Sequence, residues 1–395
     1  MSKLLETLTA IGETGRNEDG SYTRLAYSGE YFAAVDVVKR QMEELGLQTQ
    51  VDAAGNLHGV LPGTEAGLKN IILGSHLDTV PSGGLYDGAY GVAGALEVVR
   101  SLKNQNLQLR HPLEIYGFNG EEAGPMGLTF GSSVLTGLLD YEQPGLAEKL
   151  AVYGHTPAEL KHCRRDFARD KCYLELHIEQ GGVLENQKLQ IGVVSGIVGI
   201  ASYKVTAVGK SNHAGTTLMA GRRDALVAMS RLIVAADELC RSLDENLVLT
   251  FGTSKCWPGA SNVISEKVEC CLEMRHLDKG KTDQLFLAVQ EAARKITTAQ
   301  FTFEPVNYDA PVACDAHLME VIAAAAGKTG SSFKLMPSGA GHDAALMAQR
   351  VPAGMIFVPS KGGLSHCGEE WTSPKDLEQG VAVLTETVQM LDRED

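Results

Sequence analysis

The chain carries the stretch Ser75-His76-Leu77-Asp78-Thr79, which places an imidazole and a carboxylate directly after an apolar run, Asn70-Ile71-Ile72-Leu73. Tyr86-Asp87-Gly88 comes soon afterwards, and Glu121-Glu122 follows a second strand-like run, Leu113-Glu114-Ile115-Tyr116-Gly117-Phe118. In a parallel sheet, ligands and catalytic groups collect at the carboxyl ends of the strands. We therefore expect these side chains to meet at one edge of an α/β sheet.

Two later strand-like runs repeat this arrangement. Cys172-Tyr173-Leu174-Glu175-Leu176 is followed by His177, and Ala353-Gly354-Met355-Ile356-Phe357-Val358 is followed by His366. Taken singly, such residues are more often surface histidines or helix-capping acids than ligands. Together, nitrogen and carboxylate ligands without cysteine suit zinc or a neighbouring divalent metal. Because the acidic candidates exceed what one closed mononuclear site needs, the pattern predicts a dinuclear metallohydrolase.

Composition limits the class of protein. A chain of 395 residues with 44% apolar residues predicts two domains, and no run approaches the roughly 18 uninterrupted apolar residues of a membrane span. The N-terminus lacks the apolar core of a signal peptide. Eight Cys without a CxxC pair predict a reduced, cytoplasmic protein. The formal net charge of −14 argues against nucleic acid and anionic membranes as partners.

Other motifs are incomplete. Val208-Gly209-Lys210-Ser211 resembles the end of a phosphate-binding loop, but Lys204 stands where that loop requires glycine. Ser338-Gly339-Ala340-Gly341 lacks the glycine of a nucleophile elbow, since position 336 is Met. The glycines from Gly83 to Gly94 have the wrong spacing for a nucleotide site. We interpret them as positions where the backbone approaches a metal centre closely.

The terminal portions of the chain alternate strands and helices. Helical periodicity covers 28–45 and 91–102, and the capping box Ser373-Pro374-Lys375-Asp376 opens a last helix. This alternation predicts one doubly wound, mostly parallel sheet in a discontinuous metal-binding catalytic domain, 1–197 and 313–395.

The middle of the chain, 198–312, has a different order. It reads strand, helix, strand, strand, helix, strand, over 200–208, 224–240, 247–251, 267–276, 282–293 and 300–304. This order is that of a ferredoxin-like α+β fold. Because it falls between His177 and His366, we expect a lid or dimerisation domain inserted into the catalytic domain.

These residues carry a resemblance to a known family. The chain resembles the amidase/hydantoinase/carbamoylase family of di-zinc hydrolases, within the larger group of aminoacylases and zinc carboxypeptidases. The resemblance spans nearly the whole chain. Beyond the residues above, it rests on His177-Ile178-Glu179-Gln180-Gly181, Ser211-Asn212-His213-Ala214-Gly215-Thr216-Thr217, Pro258-Gly259-Ala260-Ser261-Asn262-Val263-Ile264, Arg275-His276 and Ser338-Gly339-Ala340-Gly341-His342-Asp343-Ala344.

The resemblance implies a role for each metal-type residue. His76 and His177 would bind one ion and Glu122 and His366 the other, with Asp87 bridging the two ions. Zinc is favoured, with manganese, cobalt or nickel as alternatives. Asp78 would orient the ring of His76 through its second nitrogen. Glu121 would be the general base that takes a proton from the metal-bridging water and passes one to the leaving nitrogen.

The resemblance also implies substrate contacts and a homodimer. Arg275 and Asn262 would bind the α-carboxylate of the substrate, since a guanidinium group suits a planar carboxylate. Gln180, His213 and the backbone of Gly341 would contact its carbamoyl or amide end. The homodimer would form through the inserted domain, with His213 reaching the active site of the partner.

The favoured substrate is an N-carbamoyl-L-amino acid. Allantoate or ureidoglycolate is the second alternative, an N-acyl amino acid or dipeptide the third, and a catalytically silent metal-binding homologue the fourth. The presence of Glu121 argues against the silent homologue. The loop from Ala123 to Phe130 lacks the arginine common in the family, and Leu218 and Ser265 replace common prolines. We therefore expect an unusual side-chain preference.

Overall fold

The structure is a computed structural model that describes residues 2–122 and 124–394. Ala123, in the loop that departs from the family pattern, lies outside the described residues, as do Met1 and Asp395. The helices are α1 (Lys3–Gly12), α2 (Gly29–Glu44), α3 (Ala89–Asn104), α4 (Phe130–Thr136), α5 (Leu146–Val152), α6 (Pro157–His162), α7 (Val183–Gln187), α8 (Ala225–Leu243), α9 (Lys279–Lys295), α10 (Ala316–Lys328), α11 (Asp343–Met347) and α12 (Pro374–Asp392). The strands are β1 (Gln48–Val51), β2 (Leu57–Leu61), β3 (Asn70–His76), β4 (Leu113–Phe118), β5 (Asp170–Ile178), β6 (Ile191–Ile197), β7 (Gly199–Val208), β8 (Val248–Trp257), β9 (Lys267–His276), β10 (Gln300–Asp309), β11 (Val312–Ala313), β12 (Phe333–Ser338) and β13 (Ala353–Val358).

The chain divides into two compact units. One consists of Met1–Ser195 and Ala313–Asp395, and the other is Gly196–Val312. The catalytic and lid roles of these two parts stay predictions. Within residues 2–122 and 124–394, no helix combines the length and apolar character needed to cross a membrane.

The discontinuous unit contains a nine-stranded sheet. Its order is β1-β2-β4-β3-β5-β13-β6-β11, and β12 also pairs with β6. The central strands β4, β3, β5 and β13 run parallel, whereas β1, β2 and β6 join antiparallel. Strands β4 and β13 are buried at every residue, as expected when both faces of a parallel sheet are covered. The predicted mostly parallel α/β fold is confirmed.

Helix α3 begins beside the predicted metal ligands and packs against β3, β5, α1 and α12. Its core-facing residues, including Val92, Leu96 and Val99, are fully buried. Helix α12 begins at the predicted cap, where the Ser373 hydroxyl accepts from Asp376 N–H at 3.1 Å. The Asp376 carboxylate, however, receives the hydroxyl hydrogen of Ser373 and not its backbone N–H. Only half of the predicted capping box forms.

The second unit is a four-stranded antiparallel sheet in the order β10-β7-β9-β8. Helices α8 and α9 pack on it, and burial alternates along β9. Cys270 is buried while its neighbour Cys271 is only partly so, which places them on opposite faces of the strand. This is the predicted ferredoxin-like arrangement, inserted as a separate sheet.

Candidate metal centre

Two buried histidines lie at the carboxyl ends of neighbouring parallel strands. His76 is the last residue of β3, and His177 is the next to last of β5. Both side chains are 1% exposed, and their ring centroids are 5.8 Å apart. Phe357 of β13 is level with His177 in the parallel register. The three strands therefore end at one edge of the sheet, as the sequence pattern predicts.

The Asp87 carboxylate lies between these rings and a third one. Its Oδ1 is 3.3 Å from His76 Nε2 and 3.2 Å from His177 Nε2. Its Oδ2 is 3.4 Å from His366 Nε2, which is also 3.2 Å from Glu122 Oε1. Asp87 thus joins two groups of side chains, one at each carboxylate oxygen.

The tautomers of His76 and His177 indicate whether a cation fits between these rings and Asp87. His177 Nδ1 is 2.8 Å from the Ile178 carbonyl, and His76 Nδ1 is 3.1 Å from the Asp78 carbonyl. Because a carbonyl only accepts, each Nδ1 carries a hydrogen, and each Nε2 of a neutral ring faces Asp87 with a lone pair. Asp87 Oδ1 is buried and has no hydrogen-bond partner within the described ranges. Three acceptors therefore converge on one point and require a positive charge between them.

The electrostatics of the cluster agree with this requirement. Burial disfavours a charged ring at His76, but the negative charge of Glu121 and the nearby Asp87 carboxylate raise its pKa well above the ordinary value. Hydrogen bonds with Asp87 and a second carboxylate raise the pKa of His366 to about 10. Burial by itself would raise the pKa of Asp87, yet its histidine neighbours hold it well below the usual range. The cluster stabilises positive charge.

Among the described residues, four sets of side chains place their ligand atoms within 4.8 Å of one another: His76, Asp87 and His177; Asp87, Glu122 and His366; His76, Glu121 and Glu122; and Glu175, His177 and His342. The first two sets share Asp87. Each offers imidazole nitrogens and carboxylate oxygens without sulfur, the ligand types of catalytic zinc sites. The donor set fits two divalent ions bridged by Asp87.

Gly88 permits the close packing of this cluster. It has a positive φ of 64°, and a Cβ there would overlap the His76 ring. Its N–H donates to His177 Nε2 at 3.2 Å, which agrees with the acceptor role inferred for that nitrogen. Of the glycines interpreted as points of close backbone approach, Gly88 contacts the candidate ligands most directly.

Asp78 contacts the second ring nitrogen of His76 through its backbone. Its backbone carbonyl, and not its carboxylate, is the near partner of His76 Nδ1, since the closest carboxylate oxygen is 3.9 Å away. The carboxylate instead accepts from the backbone N–H groups of Gly120, Glu121 and Glu122, at 2.9, 3.2 and 3.1 Å. Asp78 therefore holds the turn that carries the two glutamates, because three donors there point at one carboxylate.

Glu121 lies beside the cluster without joining the Asp87 bridge. Its Oε2 is 3.8 Å from His76 Nε2, and the residue is 8% exposed. Burial raises its pKa well above the ordinary value, and the neighbouring carboxylates Asp343, Glu122 and Asp78 raise it further, against the charge of His76. A carboxylate with a raised pKa next to a cationic centre is suited to accept a proton.

Gln180 is brought to the cluster and contacts a predicted ligand. Its Nε2 donates to Asp87 Oδ2 at 2.8 Å and lies 3.5 Å from His366 Nε2.

Gly341 precedes His342, whose ring centroid is 4.6 Å from that of His177. His342 donates to or accepts from Ser338 Oγ at 2.9 Å and is buried, in keeping with a structural role.

The other predicted substrate contacts belong to the second unit. His213 and Asn262 are adjacent there, since Ala214 N–H donates to the Asn262 carbonyl at 2.9 Å. The exposed ring of His213 accepts at Nδ1 from the N–H groups of Gly215 and Thr216, at 3.0 and 3.2 Å. Arg275, near the end of β9, binds Glu273 Oε1 through Nε at 2.8 Å.

The contacts of three polar residues around the candidate ligands were not predicted from the sequence: those of Glu175 and Glu370, which are buried, and of Ser365, which is half-buried. Glu175 had a usable signal, because a charged residue stood within an apolar strand run that a parallel sheet buries on both faces. It accepts from Ser75 Oγ, Tyr173 OH and Ala344 N–H, at 2.9, 3.0 and 2.9 Å. Ser365 and Glu370 lie in a loop, where no sequence pattern distinguishes a polar residue that contacts the cluster from an exposed one.

Comparison with known protein families assigns the chain to a family. The sequence profile of the peptidase family M20/M25/M40 matches residues 72–390. The chain belongs to this family, within its hydantoinase/carbamoylase amidases. The family resemblance inferred from the motifs is confirmed, and the M20 family implies a binuclear metal site. The identity of the metal stays a prediction.

Three relatives align over nearly the whole chain. An N-carbamoyl-L-amino acid amidohydrolase of Geobacillus stearothermophilus is 36% identical over 98% of this chain and 98% of its own length. An allantoate amidohydrolase of Bacillus subtilis is 36% identical, with 96% and 95% covered. A ureidoglycolate hydrolase of Oryza sativa subsp. japonica is 35% identical, with 92% and 79% covered.

Solved structures share the fold. A hydantoinase/carbamoylase amidase from Burkholderia multivorans has a TM-score of 0.90 at 31% identity, with 99% of this chain and 97% of that chain covered. The crystal structure of AtUAH in complex with glyoxylate has a TM-score of 0.80 at 33% identity, with the same coverage. This M20 member is therefore a hydrolase of the carbamoylase, allantoate and ureidoglycolate amidohydrolase type.

Proposed function

We propose that this amidohydrolase cleaves the ureido C–N bond of an N-carbamoyl-L-amino acid. The observation that supports this most directly is the convergence of two imidazole lone pairs on the unpartnered Oδ1 of Asp87, with Glu121 beside them. Such a centre suits hydrolysis of an unreactive amide. The overall reaction consumes one water and yields the free amino acid, CO2 and ammonia.

In this proposal His76 and His177 hold one divalent ion and Glu122 and His366 the other, with Asp87 between them. Zinc is favoured because the ligands are imidazoles and carboxylates. When bound, two such ions polarise a carbonyl or water oxygen and stabilise the charge that develops in the transition state. Gly88 and the Asp78 carboxylate hold the backbone around these ligands.

Glu121 moves the protons. Its raised pKa allows it to accept a proton from the attacking water and to deliver one to the nitrogen of the breaking C–N bond. It can do both because it is not part of the Asp87 bridge. Its neighbour Glu122 faces His366 instead, so adjacent residues divide ligation from proton transfer.

The substrate's carboxylate is assigned to Arg275 and Asn262, and its ureido end to Gln180, His213 and the Gly341 backbone. His213 supports this assignment through its tautomer, because an Nδ1 that accepts two N–H groups leaves the hydrogen on Nε2. Nε2 can therefore donate to a developing oxyanion. The carboxylate preference agrees with the glyoxylate complex of AtUAH.

We also propose a homodimer formed through residues 198–312, in which His213 completes the active site of the partner. This assignment has two supports in the second unit. His213 lies on an exposed turn, and the unit contributes none of the candidate metal sets found among the described residues. A histidine with a fixed tautomer and no local catalytic centre is suited to act in another one.

Allantoate or ureidoglycolate is the second candidate substrate. Both present a carboxylate and a ureido nitrogen, and relatives named for these substrates match as well as the carbamoylase does. N-acyl amino acids and dipeptides form a third class, suggested by the wider M20 family. The ligand cluster is compatible with each of them, because in this proposal its residues act on the C–N bond, which all three classes share.

The deciding experiment measures product release from a panel of substrates with added Zn, Mn or Co. The panel contains N-carbamoyl-L-amino acids with small, apolar and charged side chains, allantoate, ureidoglycolate and N-acetyl amino acids. Ammonia release reports ureido cleavage, and amine release reports cleavage of the acetyl compounds. The highest kcat/KM on an N-carbamoyl-L-amino acid is expected, and a higher value on allantoate or ureidoglycolate would replace the first candidate by the second.

A further inference from the structure

Glu370 is a buried carboxylate that has no role in the function proposed above. The residue is 5% exposed and lies in the loop that follows His366. Its Oε1 accepts hydrogen bonds from the backbone N–H groups of Tyr86 and Asp87, at 2.8 and 3.1 Å. One oxygen of Glu370 therefore fixes the backbone that carries the bridging aspartate.

The other oxygen of Glu370 reaches the Asp87 side chain through Ser365. Ser365 Oγ lies 2.8 Å from Glu370 Oε2 and 2.8 Å from Asp87 Oδ2. Because a hydroxyl has one hydrogen, Ser365 donates to Asp87 Oδ2 when Glu370 Oε2 carries the second hydrogen and donates it to Ser365 Oγ. Ser365 also directly precedes His366. The Glu370 carboxyl group thus contacts the loops that carry Asp87 and His366. It contacts Asp87 at its backbone and, through the Ser365 hydroxyl, at a carboxylate oxygen.

Gly84 shows that the chain leaves room for this contact. A Cβ at position 84 would overlap the carboxyl group of Glu370. Gly84 is not among the glycines with positive φ, so its conformation does not require glycine. The space for Glu370 does require it, because any side chain at 84 would displace the carboxyl group.

We propose that Glu370 is a positioning residue for the metal centre: acting through Ser365 and the backbone at 86–87, it sets the rotation of the Asp87 carboxylate. The proposal rests on the metal centre of the proposed function. A bridging carboxylate must direct one oxygen to each group of ligands. Rotation of the carboxylate plane would move both oxygens away from these positions. Glu370 resists that rotation because it holds the backbone at one end of Asp87 and Oδ2 at the other.

The test compares Glu370→Ala with Glu370→Gln in the full-length protein. Metals are removed, and zinc is titrated back against a competing chromophoric chelator. Loss of a residue that supports a ligand typically weakens metal affinity or activity by about 10- to 100-fold, and we expect this for zinc affinity in Glu370→Ala. At subsaturating zinc, kcat should fall with little change in KM, and excess zinc should restore it.

The conservative variant separates hydrogen bonding from bulk. In Glu370→Gln, the amide oxygen still accepts from the two backbone N–H groups, and the amide N–H donates to Ser365 Oγ, whose own hydrogen then remains for Asp87. Zinc affinity should therefore be close to wild type. Glu369→Ala is the matched control, since Glu369 is the exposed neighbour of the same type.

Two further variants keep the test decisive if Glu370→Ala does not fold. Ser365→Ala removes the link to Asp87 Oδ2, and Gly84→Ala displaces the Glu370 carboxyl group; both should weaken zinc binding. Wild-type zinc affinity in folded Glu370→Ala, or in both Ser365→Ala and Gly84→Ala, overturns the proposal, as does a Glu370→Gln variant as weak as Glu370→Ala. Because zinc affinity is measured without substrate, a wild-type protein that binds two ions but cleaves no ureido acid contradicts the proposed function alone.

Discussion

Gln180 donates from Nε2 to Asp87 Oδ2 at 2.8 Å, and it does so from a left-handed backbone conformation with φ of 57°. Such a conformation costs a residue other than glycine about 1–2 kcal/mol. It persists where the surroundings impose it, often at functional sites. Here Gln180 N–H donates to Ser360 Oγ at 3.0 Å, which holds the backbone and directs the amide towards Asp87.

Replacement of Gln180 should separate this strain from its function. Gln180→Gly and Gln180→Ala both remove the amide, so both should lower kcat/KM for a ureido substrate. The free energy of unfolding of Gln180→Gly should exceed that of Gln180→Ala by about 1 kcal/mol, because glycine adopts a positive φ without the steric cost. Urea unfolding and steady-state kinetics measure the two effects. Wild-type kcat/KM in both variants would remove Gln180 from the substrate site.

The two sides of Asp87 should lose metal separately. His76→Ala and His366→Ala each remove a ligand at one oxygen of Asp87, so each should retain one ion, whereas Asp87→Ala should lose both. His366 has a half-exposed side chain and His76 a buried one, so His366→Ala should also preserve the fold better. Metal analysis of the purified variants gives the stoichiometry. Two ions retained in Asp87→Ala would show that Asp87 is not the bridge.

Glu121→Gln should reduce turnover by at least about 10²-fold, the usual scale for loss of a general base. Metal content should stay unchanged, because Glu122 and not Glu121 faces His366. An empty metal position in Glu121→Gln with otherwise normal turnover would mean that the two glutamates have exchanged roles.

The same residue predicts a pH dependence. A general base acts in its deprotonated form, and burial and nearby carboxylates raise the pKa of Glu121 above its ordinary value of 4.5. Activity should therefore fall as the pH is lowered through the raised pKa, at a higher pH than an exposed glutamate would give. The residual activity of Glu121→Gln should lack this acidic limb. Persistence of the limb in the variant would assign it to another group.

The sequence predicted which side chains come together in this centre because the candidate ligands follow strands with clear patterns. His76, His177 and the glutamate pair all lie at the ends of buried apolar runs, and parallel register alone brings such ends together. The inserted sheet could also be predicted, since the alternation of buried and partly exposed residues along β9 matches the alternation of apolar and polar residues in its sequence. Local periodicity determined both results.

The contacts that the sequence did not predict depend on loops. Asp78 contacts His76 through its carbonyl, a choice set by the turn at 119–122 and not by residue type. Glu370 is sequence-adjacent to exposed Glu369, and only the packed loop shows that one of them is buried. Loop conformation follows from tertiary contacts, so residue spacing by itself carries no signal for it.

Arg165 forms ion pairs at the starts of strands β4 and β5, and these pairs predict an effect on stability. Arg165 binds Glu114 at 2.7 and 2.9 Å and Asp170 at 2.7 and 2.6 Å. Arg165→Met would leave two buried carboxylates without their guanidinium partner, with Glu114 still in contact with His58 and Asp170 with Asn70, at a cost of about 3–5 kcal/mol in unfolding free energy. Arg164→Met, at an exposed neighbour, is the control and should change stability little. Equal stability of the two variants would contradict the role of these ion pairs.

The sign of the pH effect on these ion pairs follows from Glu114. Burial opposes its charged form, but hydrogen bonds with His58 and Arg165 lower its pKa below the ordinary 4.5. Because the pKa of Glu114 is lower in the folded than in the unfolded state, Glu114 stabilises the fold above pH 4.5. This contribution is lost as the pH falls through the folded-state pKa. The stability difference between wild type and Arg165→Met should therefore shrink below that pH. Urea unfolding across an acidic series measures it.

His213 provides the test of the homodimer. Its ring is exposed and its tautomer leaves Nε2 as a donor, so His213→Ala should remove an oxyanion contact worth roughly 2.7–4 kcal/mol. In the proposed dimer, His213 of one subunit serves the other subunit's Glu121. Mixing His213→Ala with Glu121→Gln, each almost inactive by itself, should then restore activity.

The recovery follows from how each heterodimer distributes the two changes. One of its sites combines a normal Glu121 with the normal His213 of the other subunit, and the second site carries both substitutions. Differently tagged subunits prove exchange, and a mixture of two His213→Ala preparations is the control that should stay inactive. If exchange is demonstrated and activity does not return, His213 serves its own subunit or lies outside the catalytic machinery, because no arrangement acting across subunits could leave every heterodimer defective.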